Sequence, residues 1–245
     1  MSIFLTAAVL LSLYNVIVVA VAIARSGDLA KASEPFSQKP VHSQRKILVV
    51  GDSTAVGTGA TSAKDSIAGR IAADFPGTTV LNLARDGVLT AAVPAQLERA
   101  PQDQYDLIVM QVGGNDALRF TRRNHLREAI ESSLTAATAV SPQVLLVSVG
   151  DLGEAPSVPW PLSKLLSYRS RVVRDIFLEA ASNKNVHFLD LLRLSKEGSP
   201  FKKNPKKYYA KDGLHPSSDG YGVWYQNLRS STPLNQWLDA DLPAQ

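Results

Sequence analysis

Residues 46–53 read Lys46-Ile47-Leu48-Val49-Val50-Gly51-Asp52-Ser53, an apolar run followed by a glycine and two polar residues. Its first five residues are a short apolar, β-branched run that stops at a glycine, which predicts a buried strand. The polar pair Asp52-Ser53 follows at once, at a point where a helix can begin. Functional side chains in open α/β sheets lie beyond the carboxyl ends of the strands. We therefore expect this turn to carry part of a functional site.

Four later runs have the same character, and helical patterns separate them. The predicted strands cover residues 46–50, 78–83, 107–112, 144–149 and 186–191. The predicted helices cover about 64–74, 91–99, 122–140, 163–183 and 218–230. Strands that alternate with helices at these lengths predict an α/β domain with a parallel sheet and helices on both faces. Residues 151–162 are rich in proline and have no period, which favours a loop or lid.

The composition limits the classes of function. The chain has 245 residues, of which 45% are apolar and 20% charged, so one sizeable core is expected. The absence of cysteine excludes a disulfide framework, a thiolate metal site and a Cys nucleophile. The net charge of +4 comes mostly from residues 25–46, which hold five basic and two acidic side chains. No broadly basic face remains for nucleic acid, and we expect no nucleic-acid partner.

Residues 3–24 form an apolar run without a charged side chain. As a helix rising about 1.5 Å per residue, the run is long enough to cross a bilayer, so residues 1–24 are predicted to be a membrane anchor. A cleaved signal peptide is the alternative, with Ala22-Ile23-Ala24 resembling a cleavage site, and the protein would then be secreted or periplasmic. A buried core helix is a third alternative. The basic residues after Ala24 favour a position of the main domain in the cytoplasm, whereas export would place the main domain outside. The side of the membrane therefore stays open.

The remaining boundaries follow from composition. Residues 25–45 contain Ser, Lys, Pro and Gln without an apolar period, which predicts a flexible tether. The main domain is expected over residues 46–236, and a tail over 237–245. The sequence therefore predicts an N-terminal apolar helix that is tethered to one α/β domain.

An acid and a histidine precede the last predicted helix in the stretch Asp212-Gly213-Leu214-His215. A carboxylate and an imidazole three residues apart can meet across one turn, which would fix the tautomer of the ring. The other ring nitrogen could then take a proton from Ser53. A capped turn is the alternative interpretation of Asp212 and His215. For Ser53 the alternative is a helix N-cap, a position where serine is common. Of the four histidines, only His215 lies on a predicted loop beside an acid.

Acyl transfer also requires hydrogen-bond donors for an oxyanion. Asn115 can direct its side-chain amide from the end of the third strand, and Gly113 and Gly114 leave the backbone free to turn there. Gly87 offers a backbone N–H without a Cβ, and the Ser53 N–H is a third donor. For each glycine, a tight turn is the alternative interpretation.

Four blocks of the sequence resemble, in order, those of the SGNH (GDSL-type) hydrolase family: Gly51-Asp52-Ser53, Gly87, Gly113-Gly114-Asn115-Asp116 and Asp212-x-x-His215. The resemblance covers about residues 46–230 and is greatest to the bacterial lysophospholipase/arylesterase-like branch. The family is named after the motif Gly-Asp-Ser-Leu, and this chain has Thr54-Ala55 after Asp52-Ser53 instead of leucine. That position varies in the family.

The resemblance implies a flavodoxin-like three-layer sandwich with a five-stranded parallel sheet. It implies Ser53 as the nucleophile, His215 as the general base and then acid, and Asp212 as the orienting carboxylate. The Ser53 and Gly87 N–H groups and the Asn115 side chain would form the oxyanion hole, and neither a metal nor a cofactor is expected. The expected function is a serine esterase that forms an acyl-serine intermediate on a small-molecule or lipid ester. An acyltransferase, a carbohydrate O-acetylesterase and a non-catalytic tethered binding module are the alternatives.

Two features bear on the substrate. Residues 191–211 hold seven basic side chains against Glu197 alone, which is typical of a solvated loop or of a contact for an anionic substrate or lipid head group. Four large apolar side chains follow the proline-rich segment and either line an acyl pocket or form the buried face of a helix: Trp160, Leu162, Leu165 and Leu166.

Overall fold

A five-stranded, all-parallel sheet forms the centre of the computed structural model, which describes residues 2–101, 104–184, 186–196 and 198–238. The strands are β1 (Arg45–Gly51), β2 (Thr78–Asn82), β3 (Leu107–Gln111), β4 (Val144–Val147) and β5 (His187–Leu189). Their order is β2-β1-β3-β4-β5. This is the flavodoxin-like order, which reverses between β1 and β3, and such folds bind ligands at that reversal.

Long and short helices surround the sheet. They are α1 (Ser2–Ala32), α2 (Ser53–Val56), α3 (Ile67–Asp74), α4 (Val93–Leu97), α5 (Gly114–Leu118), α6 (Arg123–Val140), α7 (Leu162–Asn183), α8 (Leu191–Lys196), α9 (Pro200–Lys203), α10 (Pro205–Tyr208), α11 (Ser218–Ser231) and α12 (Leu234–Leu238). Single 3₁₀ turns lie at Ala63–Asp65, Thr90–Ala92 and Leu152–Glu154.

The sheet is buried on both faces because its strands are almost continuously apolar. On one face, Leu48 and Val50 pack with Leu126 and Ile130 of α6 and with Phe177 of α7. On the opposite face, Ile47 and Val49 of β1 pack in one cluster with Ile67 and Ile71 of α3 and Tyr221 of α11. The predicted three-layer α/β sandwich with a five-stranded parallel sheet is therefore confirmed.

The differences from the predicted elements concern short segments. β4 and β5 end earlier than expected, and the proline-rich segment contains the turn at Leu152–Glu154 before α7 begins. The helices α8, α9 and α10 have only four to six residues each, and both α9 and α10 start at a proline. Segments this short give no helical period in the sequence, so the pattern could not predict them.

The predicted flexible tether over residues 25–45 is wrong at its start. The helix α1 continues past Ala24 to Ala32, because alanine, leucine and lysine favour helix there and no proline interrupts before Pro35. Further along, the backbone of Gln38 exchanges two hydrogen bonds of 2.9 Å with Val80 at the edge of β2. The segment between α1 and β1 is therefore attached to the sheet.

The predicted domain end at residue 236 also needs correction. The helix α12 runs to Leu238, and both Leu234 and Leu238 are buried in the core cluster beneath α3 and α11. The ring of Trp237 lies 4.4 Å from the His187 ring, centroid to centroid. The first two residues of the predicted tail thus belong to the domain, and residues 239–245 lie outside the described residues.

Among the described residues, the stretch Val9–Ala32 is long and apolar enough to cross a membrane, by length and composition alone. Only 6% of its most apolar window is buried, so the alternative of a core helix is wrong. Large apolar side chains are exposed along its length, among them Val9, Leu10, Val16, Ile17 and Ile23. A membrane anchor and a signal peptide are both compatible with this helix.

Candidate active site

The site begins at the carboxyl end of β1, where Gly51 has a φ of +136°. A Cβ at this position would lie 1.8 Å from the carbonyl oxygen of Gln111 on β3, so no residue with a side chain fits. The buried Gln96 side chain accepts from the Gly51 amide at 2.7 Å and donates to its carbonyl at 2.9 Å. These contacts fix the direction in which the chain leaves the sheet.

Asp52 and Ser53 follow this turn. The Asp52 carboxylate is the N-cap of α2 and accepts from the amide of Thr54 at 2.9 Å and from its hydroxyl at 2.8 Å. Burial raises the pKa of Asp52 to about 6, although the two Thr54 bonds and the nearby His215 act in the opposite direction. Ser53 is the first residue of α2 and is 8% exposed. Its hydroxyl therefore lies at a helix start, oriented by a buried cap.

The side chains of Ser53, His215 and Asp212 form one hydrogen-bonded row. The Nε2 atom of His215 lies 2.8 Å from Ser53 Oγ, and its Nδ1 atom lies 2.6 Å from Asp212 Oδ2. Because an ionised carboxylate only accepts, Nδ1 carries the proton and Nε2 accepts from the serine. The structure thus brings Ser53 to a histidine 162 positions away in the sequence, which is itself paired with Asp212.

The Asp212 carboxylate accepts four hydrogen bonds. Oδ1 accepts from the amides of Leu214 at 3.0 Å and His215 at 3.1 Å, while Oδ2 accepts from His215 Nδ1 and from the hydroxyl of Ser26 at 2.7 Å. Burial acts to raise the pKa of Asp212, but these bonds and the charge of His215 outweigh it and lower the pKa to about 2. The carboxylate is therefore ionised at neutral pH.

Backbone contacts hold the loop that carries these two residues. Ala210 donates to the carbonyl of His215 at 2.8 Å, and Gly213 donates to Ala210 at 2.9 Å. Gly213 has a φ of +66°, which lets the loop turn back on itself. Tyr209 and Pro216 pair as an isolated antiparallel bridge at its base. The imidazole is thus held by the geometry of a closed loop.

Gly87 and Asn115, the other predicted site residues, line the same cavity as Ser53. Asn115 is in the first turn of α5, which starts after Gly113 at a φ of +110°. A Cβ on Gly113 would approach within 2.9 Å of the Phe177 ring, so α7 can pack close to this turn only because the residue is glycine. The carbonyl of Gly87 accepts from Arg119 at 2.9 Å.

The cavity has a volume of about 730 Å³, which is within the range of small-molecule sites. Ser53, His215 and Asn115 lie on its wall, and apolar side chains make up a large part of the lining. Leu162 and Leu166 of α7 are among these apolar residues, whereas Trp160 and Leu165 are 63% and 46% exposed outside it. Leu162 and Leu166 therefore fit the interpretation as an acyl pocket, whereas the exposed Trp160 and Leu165 fit neither alternative.

Sequence reasoning missed several side chains that hold this site. Gln96 fixes Gly51, Ser26 binds Asp212, and the buried Asp116 accepts from both the amide and the hydroxyl of Thr90 at 2.9 and 2.7 Å. Asp116 belongs to the Gly113–Asp116 motif, although no role was predicted for it. Gln96 and Ser26 belong to no motif and have no local spacing that would indicate a role. Across the described ranges, no group of three or more His, Cys, Asp or Glu side chains could hold a metal ion.

With this geometry, the chain is an α/β protein with a hydrolase-type site at the end of its first strand. The family model for GDSL-like lipases and acylhydrolases matches residues 49–223. The chain therefore belongs to that family and is a carboxylic ester hydrolase. Among the curated proteins, none matches it.

Solved structures of similar fold come from several bacteria. A phospholipase A1 from Streptomyces albidoflavus NA297 is 14% identical with a TM-score of 0.64, over 77% of this chain and 99% of that one. A lipolytic protein of the G-D-S-L family from Veillonella parvula DSM 2008 is 16% identical with a TM-score of 0.62, over 76% and 96%. A catalytic mutant of an acetylxylan esterase from Geobacillus stearothermophilus is 19% identical with a TM-score of 0.56, over 84% and 100%. At these identities, the likeness concerns the fold.

Proposed function

We propose that the protein is a serine esterase in which Ser53 attacks the carbonyl carbon of a carboxylic ester. One observation carries the proposal: His215 lies 2.8 Å from Ser53 Oγ through one ring nitrogen and 2.6 Å from Asp212 through the other. A binding module needs no such row of nucleophile, base and carboxylate.

In the first step, Ser53 Oγ bonds to the ester carbon while its proton passes to Nε2 of His215. Negative charge develops on the former carbonyl oxygen, and the amides of Ser53 and Gly87 with the Asn115 side chain are the donors that would stabilise it. The bond to the alcohol oxygen then breaks, and His215 returns its proton to the leaving alcohol. An acyl-Ser53 ester remains.

In the second step, water attacks the acyl-serine while His215 takes one of its protons. Collapse of the second tetrahedral intermediate breaks the bond to Ser53 Oγ, and the proton on His215 restores the serine hydroxyl. Asp212 stays ionised throughout, because its pKa of about 2 lies far below neutral pH, and it stabilises the imidazolium in both steps.

The substrate class is a lipid-like ester, as in the lysophospholipase/arylesterase-like branch of the family. The support is the lining of the cavity that contains Ser53, a large part of which is apolar. An apolar cavity stabilises acyl chains by about 0.8 kcal/mol for each buried methylene group, which favours longer esters over acetate.

The helix α1 acts as an uncleaved membrane anchor. Its support is the exposure of large apolar side chains on the side of the helix away from the domain, with Val16 65% and Ile17 53% exposed. The intact mass of the protein extracted from membranes tests this assignment. A mass that includes residues 3–24 is expected, and a mature protein that starts after Ala24 would contradict it.

Hydrolysis of p-nitrophenyl esters from acetate to palmitate by the full chain in detergent tests the esterase itself. Ser53→Ala is expected to abolish turnover, whereas Ser182→Ala, on the exposed face of α7, removes a serine far from the site and leaves turnover unchanged. Full activity in Ser53→Ala would contradict the proposal. Added alcohols that divert the product from free acid to new esters would instead identify an acyltransferase.

A further inference from the structure

The helix α1 forms a wall of the cavity that holds Ser53. Val19, Ala22 and Ile23 all line this cavity, although they belong to the segment that is apolar enough to cross a membrane. Ala22 is 8% exposed, whereas Ala20, on the other side of the helix, is exposed. One face of α1 therefore points into the site.

Three polar contacts fix this helix against the domain. Asn15 donates to the carbonyl of Trp160 at 3.2 Å, Arg25 donates to the carbonyl of Lys211 at 3.2 Å, and Ser26 donates to Asp212 at 2.7 Å. At about 1.5 Å per residue, the first and last contacts lie about 16 Å apart along α1. Contacts this far apart fix the position of α1 along its axis relative to the domain and its rotation about that axis. The face with Val19, Ala22 and Ile23 is therefore held towards the cavity.

The opposite wall comes from the domain. Leu162 and Leu166 of α7, Leu118 of α5 and Val158 line the cavity together with the face of α1. The space between them is apolar and is continuous with the hydroxyl of Ser53. An acyl chain attached to an ester at Ser53 would thus lie between α1 and the domain.

The outer side of α1 exposes large apolar side chains, which a lipid bilayer would cover. The part of α1 before Asn15, residues 2–14, extends about 20 Å beyond the first contact with the domain, far enough to enter the hydrocarbon core of a bilayer. Exposed lysines lie on the segment that Arg25 contacts: Lys202, Lys203, Lys206, Lys207 and Lys211. Basic side chains near a membrane surface favour anionic head groups by about 1 kcal/mol each. With residues 2–14 in the bilayer, the cavity beside residues 19–23 would lie near the membrane surface.

We infer that α1 is part of the active site as well as an anchor: it forms one wall of an acyl-chain subsite that takes lipid esters from the bilayer around the same helix. The inference rests on the proposed esterase function. It assigns to α1 the selection of long acyl chains, and to the domain the chemistry at Ser53.

A matched pair of variants in the full chain tests the subsite. Ala22→Trp fills the cavity from the α1 side, whereas Ala20→Trp adds the same side chain to the outer side. We expect Ala22→Trp to lower kcat/KM for p-nitrophenyl palmitate about tenfold more than for the acetate ester. Ala20→Trp is expected to leave the palmitate-to-acetate ratio at its wild-type value.

The outcomes separate the two proposals. If the wild-type protein hydrolyses acetate in a Ser53-dependent manner but both tryptophan variants keep the wild-type ratio, the subsite is wrong and the esterase stands. If the wild-type protein hydrolyses neither ester, the esterase itself is wrong. A palmitate-to-acetate ratio that rises in Ala22→Trp would also overturn the subsite.

Discussion

The two sides of the cavity are built in different ways. On the domain side, Ser53, His215 and Asp212 sit on turns whose backbone bonds and buried partners fix each side chain. On the α1 side, the wall is a helix that touches the domain through few polar contacts, among them those of Arg25 and Ser26, and that exposes most of its apolar surface.

This difference suits the two sides of the cavity to two tasks, which are catalysis at Ser53 and the choice of acyl-chain length. Groups that stabilise developing charge must be held in place before the substrate arrives, which requires a dense polar network. A wall that accepts acyl chains needs only apolar surface in the right place. The domain side is therefore expected to control turnover, and the α1 side to control which chain length is turned over.

The largest loss is expected on the domain side from His215→Ala. Without the imidazole, Ser53 has no base, and kcat is expected to fall roughly 10⁴- to 10⁶-fold. The measurement is p-nitrophenyl acetate hydrolysis by the folded variant. His125→Ala, on the surface of α6, is the matched control and is expected to behave like the wild type. Equal activity in the two variants would remove His215 from the mechanism.

A smaller loss is expected from Asn115→Ala. If the side-chain amide donates to the oxyanion, its removal costs on the order of 10²-fold in kcat with little change in KM. Asn124→Ala, an exposed asparagine at the start of α6, controls for the loss of an amide elsewhere. A rise in KM at constant kcat would indicate that Asn115 contributes to substrate binding only.

The cap of α2 makes a prediction about stability and pH. Because the pKa of Asp52 is about 6 in the folded protein against an ordinary 3.8, the folded state binds the proton more tightly. Stability is therefore expected to fall as the pH rises from about 4 to 6, by about 3 kcal/mol for this group. Urea unfolding at both ends of that window measures it, and Asp52→Asn is expected to lose this part of the dependence. An identical dependence in the variant would contradict the assignment.

The smallest effect is expected on the α1 side from Ser26→Ala. Losing the hydrogen bond to Asp212 is expected to reduce kcat about fivefold, which corresponds to ~1 kcal/mol. Ser26→Thr keeps a hydroxyl and is expected to restore most of the rate. If kcat of the alanine variant equals that of the wild type at every pH, the hydrogen bond from Ser26 to Asp212 does not contribute to turnover.

Much of the fold and the site could be predicted from the sequence, because their signals are local. An apolar run that ends at Gly51 predicts a strand, and the spacing of Asp212 and His215 predicts a carboxylate–imidazole pair. These patterns depend on neighbouring residues alone, and the strand order places Ser53 and His215 at the same edge of the sheet.

The remaining features depend on contacts between distant segments. Ser26 reaches Asp212 across 186 positions, and Gln96 reaches Gly51 across 45. Neither residue belongs to a motif, and either would be an ordinary polar side chain in another fold. The predicted start of the flexible tether at residue 25 was wrong for a similar reason, since the composition changes there while the helix continues to Ala32.

Covalent labelling tests whether Ser53 is the nucleophile. The full chain in detergent is treated with a fluorophosphonate, and its intact mass and peptide map are measured beside those of Ser53→Ala. We predict one adduct per chain, located on Ser53 and absent from the variant. An adduct on another serine, or none on the folded wild-type protein, would contradict the assignment of Ser53 as the nucleophile.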